Sequence, residues 1–164
     1  MILTASGILY DLSPKVPGEA SFSDKTGLPM VSGRSLLPIS PTYSSFIKER
    51  AFTLAGEYGG QCVFFVQQFL KIFQDCNIVD CEAYPFRGYA GDIIPNSNKP
   101  EIGSAVLLAF GHTAVIIDIV GDELELAESN YSYDEIIKVG RKIKKTDEKI
   151  IGYFNFNIDV TKSM

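Results

Sequence analysis

A glycine pair, Gly59-Gly60, is followed by a stretch in which apolar side chains dominate at helical spacing. The polar residues between positions 63 and 73 are Gln67, Gln68 and Lys71. A helix that is apolar around most of its circumference normally lies at the centre of its domain. The sequence therefore predicts a buried helix that begins near Gln61 and ends before Asp75.

The second half of the chain shows the two-residue alternation of β-strands. Over residues 123–126 leucine alternates with glutamate, and a Gly121-Asp122 turn joins this stretch to the apolar stretch before it. We expect strands near residues 105–110, 113–120, 123–128, 137–144 and 154–160, with one apolar and one solvated face. Helices followed by a meander of strands predict an α+β domain of two layers, with the helices packed on an antiparallel sheet.

The region before the first helix is rich in proline and glycine. Residues 1–41 hold five of the eight prolines, which suits an extended arm better than a helix or a long strand. The arm either wraps on its own domain or docks into a larger assembly. Ser40-Pro41 has the pattern of an N-cap followed by proline at the first helical position, so a first helix is expected over about Pro41 to Gly56. After the arm, we expect a folded domain over residues 42–160.

An irregular segment connects the helices to the sheet. Residues 79–101 contain three prolines among glycine, asparagine and serine, and a loop of this length usually lines a site or is mobile. Its larger side chains either line a cleft or hold the loop on the core. These are Tyr84, Phe86, Arg87 and Tyr89.

Composition and charge exclude several classes of protein. The net charge is −5 and the sequence pI is about 4.9, so the chain lacks the basic surface that a nucleic-acid backbone requires. Its apolar runs are far shorter than the ~18 residues that span a bilayer, so no membrane span is expected. One histidine and three scattered cysteines do not form a zinc site, and an odd cysteine count argues against a secreted disulfide framework. The first residues lack the features of a signal peptide.

Residues suited to nucleophilic catalysis stand in both halves of the chain. Cys62 lies at the predicted start of the buried helix, where the helix N-terminus favours the thiolate. His112 lies between the first two predicted strands and could accept the thiol proton as a general base. Glu128 could hold the imidazole, and Asn130 could donate to a developing oxyanion. A single buried cysteine or strand histidine is more often structural, so the hypothesis rests on the combination.

The residues around these positions resemble a known family. The stretch 60–66, GQCVFFV, is similar to the GQCTWYV signature of CHAP domains, the cysteine- and histidine-dependent amidohydrolases and peptidases of the NlpC/P60, papain-like group. Four further stretches, at 100–103, 111–116, 128–130 and 151–153, follow in the order of the family pattern. The likeness covers about residues 42–156.

The resemblance implies a papain-like fold in which the nucleophile helix packs on an antiparallel sheet that carries the base. It makes Cys62 the nucleophile, His112 the general base and then acid, and Glu128 the residue that orients His112. Asn130 would be an oxyanion-stabilising or orienting amide, and Gln61 would shape the oxyanion hole. The implied reaction is hydrolysis of a peptidoglycan amide, between muramic acid and the stem peptide or within the peptide and its cross-bridge, without metal or cofactor.

The sequence departs from the family pattern at three points. The Trp-Tyr pair after the nucleophile is Phe64-Phe65, and the aspartate common after the Pro-x-x-Gly turn is Ser104. Some phage members bind calcium through several carboxylates before the nucleophile, whereas Glu57 stands alone in this chain. Since calcium needs six to eight oxygen ligands, we expect no such site.

Two further groups of residues keep two interpretations each. Cys76 and Cys81 are close enough in sequence to pair, but packing thiols explain them as well. Six basic residues between positions 138 and 149 form either a solvated hairpin face or a patch that attracts anionic wall polymers. They are Lys138, Arg141, Lys142, Lys144, Lys145 and Lys149.

The sequence shows neither a signal peptide nor a wall-binding module, and this predicts delivery by another route. A phage lytic protein fits, made in the cytoplasm and acting at the bacterial cell wall after release at lysis or transport in the virion, with the arm bound to a tail or baseplate. Two alternatives use the same residues. One is a catalytically silent CHAP scaffold in a larger assembly such as a phage tail, and the other is an intracellular amidase of small γ-glutamyl or polyamine conjugates.

Overall fold

The computed structural model describes residues 42–71, 73 and 85–163. Its helices and strands form one α+β unit, as the sequence predicts. The strands make an antiparallel sheet in the order β4-β3-β2-β1-β5. The elements are α1 (Tyr43–Leu54), α2 (Cys62–Lys71), β1 (Ala105–Leu108), β2 (His112–Val120), β3 (Glu123–Ser129), β4 (Ile137–Lys144) and β5 (Ile150–Phe154). A short 3₁₀ turn at Ala90–Asp92 lies between α2 and β1.

Helix α1 begins two residues after the predicted start. Thr42 is the N-cap, and its hydroxyl oxygen accepts a hydrogen bond from the backbone N–H of Ser45 at 3.4 Å. This contact satisfies one of the backbone donors that a helix N-terminus leaves unpaired. Ser40 and Pro41, which the sequence predicts to be the N-cap and the first helical residue, lie outside the described residues.

Helix α2 is the buried helix that the sequence predicts. Phe65, Val66, Phe69 and Leu70 are fully inaccessible to solvent, and each contributes about 1.5–3 kcal/mol on burial. The polar Gln67 is accommodated because its side-chain amide donates to a backbone carbonyl in the following segment at 2.7 Å. The helix packs on β2 and β3, so its first residue lies near the ends of those strands.

The sheet is apolar on both faces at its centre, so the prediction of one solvated face is wrong there. In β2, Val115 and Ile117 belong to the cluster on the helix side, whereas Ala114 and Ile116 belong to a second buried cluster. Both sets are apolar, and such unbroken apolar runs are typical of strands that are buried on two sides. In β3, the two leucines that alternate with glutamate, Leu124 and Leu126, both lie in that second buried cluster.

The fifth strand lies earlier than predicted, at Ile150–Phe154 instead of residues 154–160. The backbone N–H of Asn155 donates to the side chain of Asn96 at 2.7 Å, and Asn157 has a positive φ of 64°. The hydrogen bond at Asn155 and the positive φ of Asn157 turn the backbone away from the sheet, and the strand ends there. The apolar alternation beyond Phe154 reflects packing, because Phe156 is buried in the helix-side cluster without strand pairing.

Several predictions fall on residues that the structure does not describe. The arm over residues 1–41, the end of the buried helix, Tyr84 and the pairing of Cys76 with Cys81 are among them. Within the described ranges, none of the helices has the length and apolar character needed to cross a membrane.

Candidate active site

Cys62 is placed by the glycine pair that precedes α2. The Ser129 hydroxyl donates to the Gly60 carbonyl oxygen at 2.7 Å, and Gly60 has a positive φ of 76°. A Cβ at Gly59 would overlap the side chains of Ser129 and Ile137. The turn therefore packs tightly on the end of β3, and it holds the half-buried, free thiol of Cys62 at the first position of the helix.

His112 is the first residue of β2, and its imidazole interacts with the Cys62 thiol, with which it lines one pocket, and with the Glu128 carboxylate. The Nε2 atom lies 2.9 Å from Oε1 of Glu128. Since Val115 pairs with Ala127, residues 112 and 128 are diagonal neighbours on one face of the β2–β3 pair. With Nε2 turned to the carboxylate, Nδ1 is the ring nitrogen left for the thiol.

The electrostatics favour an ion pair between Cys62 and His112. Burial acts to raise the pKa of the Cys62 thiol, but hydrogen bonding and charge from His112 outweigh it, and the pKa lies below its ordinary value. Burial acts to lower the pKa of His112, whereas Cys62 and Glu128 raise it and prevail. Shifts of opposite sign on the two partners stabilise thiolate and imidazolium together.

Glu128 is held ionised inside the protein. Its side chain is 1% exposed, and burial acts to raise its pKa, but hydrogen bonds from Arg141 and His112 outweigh burial and the pKa is lowered. Arg141 donates from Nε to Oε2 and from Nη2 to Oε1, each at 2.8 Å. The carboxylate thus joins a permanent cation to the imidazole.

Arg141 reaches Glu128 because of an irregularity in β4. The register with β3 shifts between the pairs Leu126–Arg141 and Ala127–Val139, which leaves Gly140 as an extra residue with a positive φ of 108°. A bulge of this kind turns the following side chain to the other face of the sheet. The sequence analysis placed Arg141 on a solvated basic face or wall-binding patch. That interpretation is wrong for this residue.

Two aromatic rings enclose the imidazole. Phe110 stacks on His112 with ring centroids 5.7 Å apart and an angle of 11° between the planes. The ring of Tyr131 lies 5.5 Å from the imidazole on another side, and its face carries the Arg141 guanidinium at 4.0 Å. The rings restrict the imidazole and screen it from water while leaving Cys62 at the pocket.

Gln61 and Asn130 belong to a hydrogen-bond network beside the thiol. Asn130 donates from Nδ2 to Oε1 of Gln61 at 3.2 Å, and Gln61 donates from Nε2 to Oε2 of Glu135 at 3.0 Å. The Tyr58 hydroxyl donates to the other oxygen of Glu135 at 2.7 Å. Each amide nitrogen carries two hydrogens, so Gln61 keeps one for a further acceptor.

The loop that carries this network is conformationally constrained. Asn130, Tyr133 and Glu135 have positive φ values of 68°, 62° and 59°, a region that residues other than glycine seldom adopt. Such conformations persist where surrounding contacts fix them, and they concentrate at functional sites. The backbone N–H of Glu135 donates to Oδ1 of Asn130 at 3.0 Å, which is one of those contacts.

A pocket of about 410 Å³ opens over these groups. It falls within the range of small-molecule and active-site cavities, about 300–1,000 Å³. All the sequence-predicted site residues line it except Glu128, which lies behind His112. The lining residues are Gln61, Cys62, Val63, Gly88, Tyr89, Ala90, Phe110, Gly111, His112, Asn130, Tyr131, Tyr133 and Glu135.

The irregular segment before β1 both lines the pocket and packs on the core. Phe86 is fully buried, and its ring centroid lies 5.2 Å from that of Phe154 and 5.1 Å from that of Phe156. Tyr89 is 62% exposed and lies at the pocket, against Gly111. The two interpretations of this segment therefore apply to different residues.

The arrangement has the parts that thiol-based acyl transfer needs: a nucleophile, a base and a group that orients the base. Within residues 42–71, 73 and 85–163, no three histidine, cysteine, aspartate or glutamate side chains are grouped so as to hold a metal ion. Sequence reasoning missed Tyr58, Phe110, Tyr131, Glu135 and Arg141. The one sequence signal for Arg141 was a glycine before a basic residue within a strand, which marks a possible bulge.

Comparison with known proteins gives a likeness of fold. No protein-family model matches the sequence, and no curated protein matches it. Among solved structures, the chain is similar to the crystal structure of Ly7917, with a TM-score of 0.51 and 13% sequence identity. The alignment covers 67% of this chain and 61% of that chain, so this chain matches less than two thirds of Ly7917.

Proposed function

We propose that this protein is a cysteine amidohydrolase of the CHAP type and that it cleaves an amide bond in peptidoglycan. The observation that carries the proposal is the series of interacting side chains from Cys62 through His112 to Glu128 at a pocket of about 410 Å³. A structural role for the cysteine alone would not require a lowered pKa of the thiol or a raised pKa of its histidine partner.

The proposed reaction begins with the Cys62 thiolate. Its sulfur attacks the amide carbonyl carbon, and the C–N bond breaks as the His112 imidazolium gives its proton to the leaving amine nitrogen. A thioester on Cys62 results, and His112 is left neutral. His112 then takes a proton from water while the water oxygen attacks the thioester carbon, the C–S bond breaks, and the acid and the thiolate–imidazolium pair are released.

Glu128 and the Gln61 network have separate parts in this scheme. Glu128 keeps His112 in one orientation and stabilises its protonated form. The free amide hydrogen of Gln61 is available to an oxyanion that forms beside Cys62, since both residues line the pocket. Asn130 and Glu135 fix the Gln61 carboxamide from its two ends.

A papain-like arrangement is part of the proposal. Its support is the position of Cys62 at the N-terminus of a buried helix, packed on an antiparallel sheet that carries His112 and Glu128. Of the residues that the sequence resemblance selects, all but Glu128 line this pocket, and Glu128 is hydrogen-bonded to His112. The likeness to Ly7917 bears on the fold only.

Peptidoglycan as substrate follows from the CHAP resemblance and suits the shape of the site. Aromatic side chains at the pocket remain accessible, with Tyr133 87% and Phe110 46% exposed. Exposed apolar area beside a cleft offers contacts to a substrate larger than the pocket itself. A phage origin and action at the bacterial cell wall remain predictions of the sequence.

The proposal is tested by incubating purified peptidoglycans of several cross-bridge types with the wild type, Cys62→Ala and Cys81→Ala. Mass spectrometry of the released fragments identifies the new ends and thus the bond. We expect fragments from the wild type and Cys81→Ala and none from Cys62→Ala. If no peptidoglycan is cleaved, the proposal fails. Cleavage of soluble γ-glutamyl or polyamine amides would then favour the small-amide alternative, and inactivity on both would favour a silent scaffold.

A further inference from the structure

The Glu128 carboxylate is shared between His112 and Arg141. Oε1 lies 2.9 Å from His112 Nε2 and accepts from Arg141 Nη2 at 2.8 Å, while Oε2 accepts from Arg141 Nε at 2.8 Å. A guanidinium that binds both oxygens of a carboxylate fixes its plane as well as its position. Arg141 therefore determines the direction in which Oε1 of Glu128 faces the imidazole.

The chain is built so that Arg141 makes this contact. The extra residue Gly140 shifts the β3–β4 register and brings Arg141 opposite Leu126, on the face of the sheet that also carries Glu128. Without the shift, strand alternation would put Arg141 on the face of Ile137 and Val139, in the helix-side cluster.

A second contact ties Arg141 to the imidazole. The guanidinium lies 4.0 Å above the ring of Tyr131, and this ring is 5.5 Å from that of His112. A cation over the face of an aromatic ring is attracted by the ring, and arginine makes this contact more often than lysine. Arg141 is thus held by two partners, each of which contacts His112.

Charge explains why a cation is needed at this place. A carboxylate that is 1% exposed loses almost all its hydration, and only close ionic or hydrogen-bonding partners keep it ionised. His112 supplies one such partner, but its proton is transferred during the proposed reaction. Arg141 stays charged throughout, because its pKa is raised further by Glu128 despite burial, which acts to lower it.

We propose that Arg141 is a positioning residue that fixes Glu128 and thereby keeps His112 protonated and oriented toward the Cys62 thiolate. The inference rests on the thiol–imidazole pair of the proposed function. The titratable and charged groups around His112 are Cys62 on α2, Glu128 on β3, Arg141 on β4, Tyr131 and Glu135 in the loop between β3 and β4, and Tyr89 in the segment before β1.

The test measures the thiol and the imidazole directly, without a substrate. The rate of Cys62 alkylation by iodoacetamide is recorded against pH, and peptide mapping separates Cys62 from Cys76 and Cys81. Because His112 is the one histidine in the sequence, its ring resonances in tag-free protein titrate without overlap. The variants are Arg141→Ala, Arg141→Lys and the control Lys144→Ala, which removes an exposed cation from the same strand.

We expect Arg141→Ala to move the alkylation inflection upward and the His112 titration downward. One pH unit below the wild-type inflection, alkylation should fall about tenfold, which corresponds to a shift of about one unit. Arg141→Lys should recover part of the shift, and Lys144→Ala should match the wild type. If both titrations in Arg141→Ala match those of Lys144→Ala, Arg141 is only structural and the inference is overturned.

A double-mutant cycle shows whether Arg141 acts through Glu128. In a Glu128→Gln background, Arg141→Ala should add no further shift, because the group it positions is already gone. The double variant removes both charges of the ion pair, and the cation that Glu128→Gln leaves behind is partly exposed, so this comparison remains informative if Arg141→Ala alone does not fold. Additive shifts would show that the arginine acts by its own charge and would contradict the inference. Normal thiol titration without peptidoglycan cleavage would instead count against the proposed function.

Discussion

The Nε2 atom of His112 lies 2.9 Å from Oε1 of Glu128, and the two side chains are 6% and 1% exposed. In the proposed function, this contact sets the ring orientation and tautomer of the imidazole that faces Cys62. It also joins the thiol to a second ion pair between Glu128 and Arg141. The chemistry of the cysteine thus depends on residues from one helix and three neighbouring strands.

The first prediction concerns the ionisation of Cys62. Since its pKa is lowered, alkylation by iodoacetamide should rise with pH through an inflection below about 8.5, the ordinary thiol value. His112→Ala removes the hydrogen bond and positive charge that lower the pKa and should move the inflection up.

Hydrolysis should rise through the lowered pKa of Cys62 and fall above the raised pKa of His112. An inflection of the wild type at or above 8.5 would refute the ion pair.

The second prediction concerns stability and Glu128. Glu128→Gln breaks a buried ion pair and should reduce the free energy of unfolding at pH 7 by about 3 kcal/mol, the low end for such pairs because Arg141 is partly exposed. The folded-state pKa is lowered, so this stabilisation is present above about pH 4.3 and is lost as pH falls through the folded pKa. Urea unfolding of both proteins at a series of pH values should therefore show a difference that shrinks in acid. A difference independent of pH would contradict the assignment.

A third prediction follows from the bulge at Gly140. Gly140→Ala places a Cβ on a backbone with a φ of 108° and should cost about 1–3 kcal/mol of unfolding free energy. It should also raise the Cys62 alkylation inflection, because the bulge directs Arg141 toward Glu128. The control Gly121→Ala, at a φ of 61° with no atom within 4 Å of the added Cβ, should lose stability alone. Equal alkylation profiles for the two variants would show that the bulge does not affect the ionisation of Cys62.

The fourth prediction separates Gln61 from the thiol pair. If its amide hydrogen stabilises the oxyanion, Gln61→Ala should lower kcat by about 10²–10³-fold. The pH dependence of Cys62 alkylation should stay as in the wild type, since Gln61 does not contribute to the lowered pKa of the thiol. The hydrolysis rate and the alkylation profile are measured on the same preparation. A normal kcat would remove Gln61 from the oxyanion hole.

The sequence predicts the α+β class, both helices and the β2–β3 hairpin, because each has a local signal. The apolar circumference of α2 and the Gly121-Asp122 turn do not depend on distant residues. The position of β5 is less accessible to this reasoning. Phe156 and its neighbours alternate like a strand, yet backbone N–H groups that donate to asparagine side chains end the pairing at Phe154.

The site shows the same division. Gln61, Cys62, His112, Glu128 and Asn130 could be selected from the sequence because they stand in recognisable motifs, and the structure brings them together. Arg141 could not, since its role depends on a one-residue shift in strand register. The alternation of β4 alone assigns it to the wrong face, and only the pairing with β3 reveals the bulge.

The central claim, that the Cys62 thiolate is the nucleophile, is tested most directly on the unmutated protein. Iodoacetamide is added in substoichiometric steps near pH 6, and the alkylated fraction of Cys62 is compared with the remaining rate of peptidoglycan cleavage. We predict that activity falls in proportion to Cys62 alkylation and vanishes when this residue is fully modified, while Cys76 and Cys81 are not alkylated. Undiminished cleavage by protein fully alkylated at Cys62 would contradict the account.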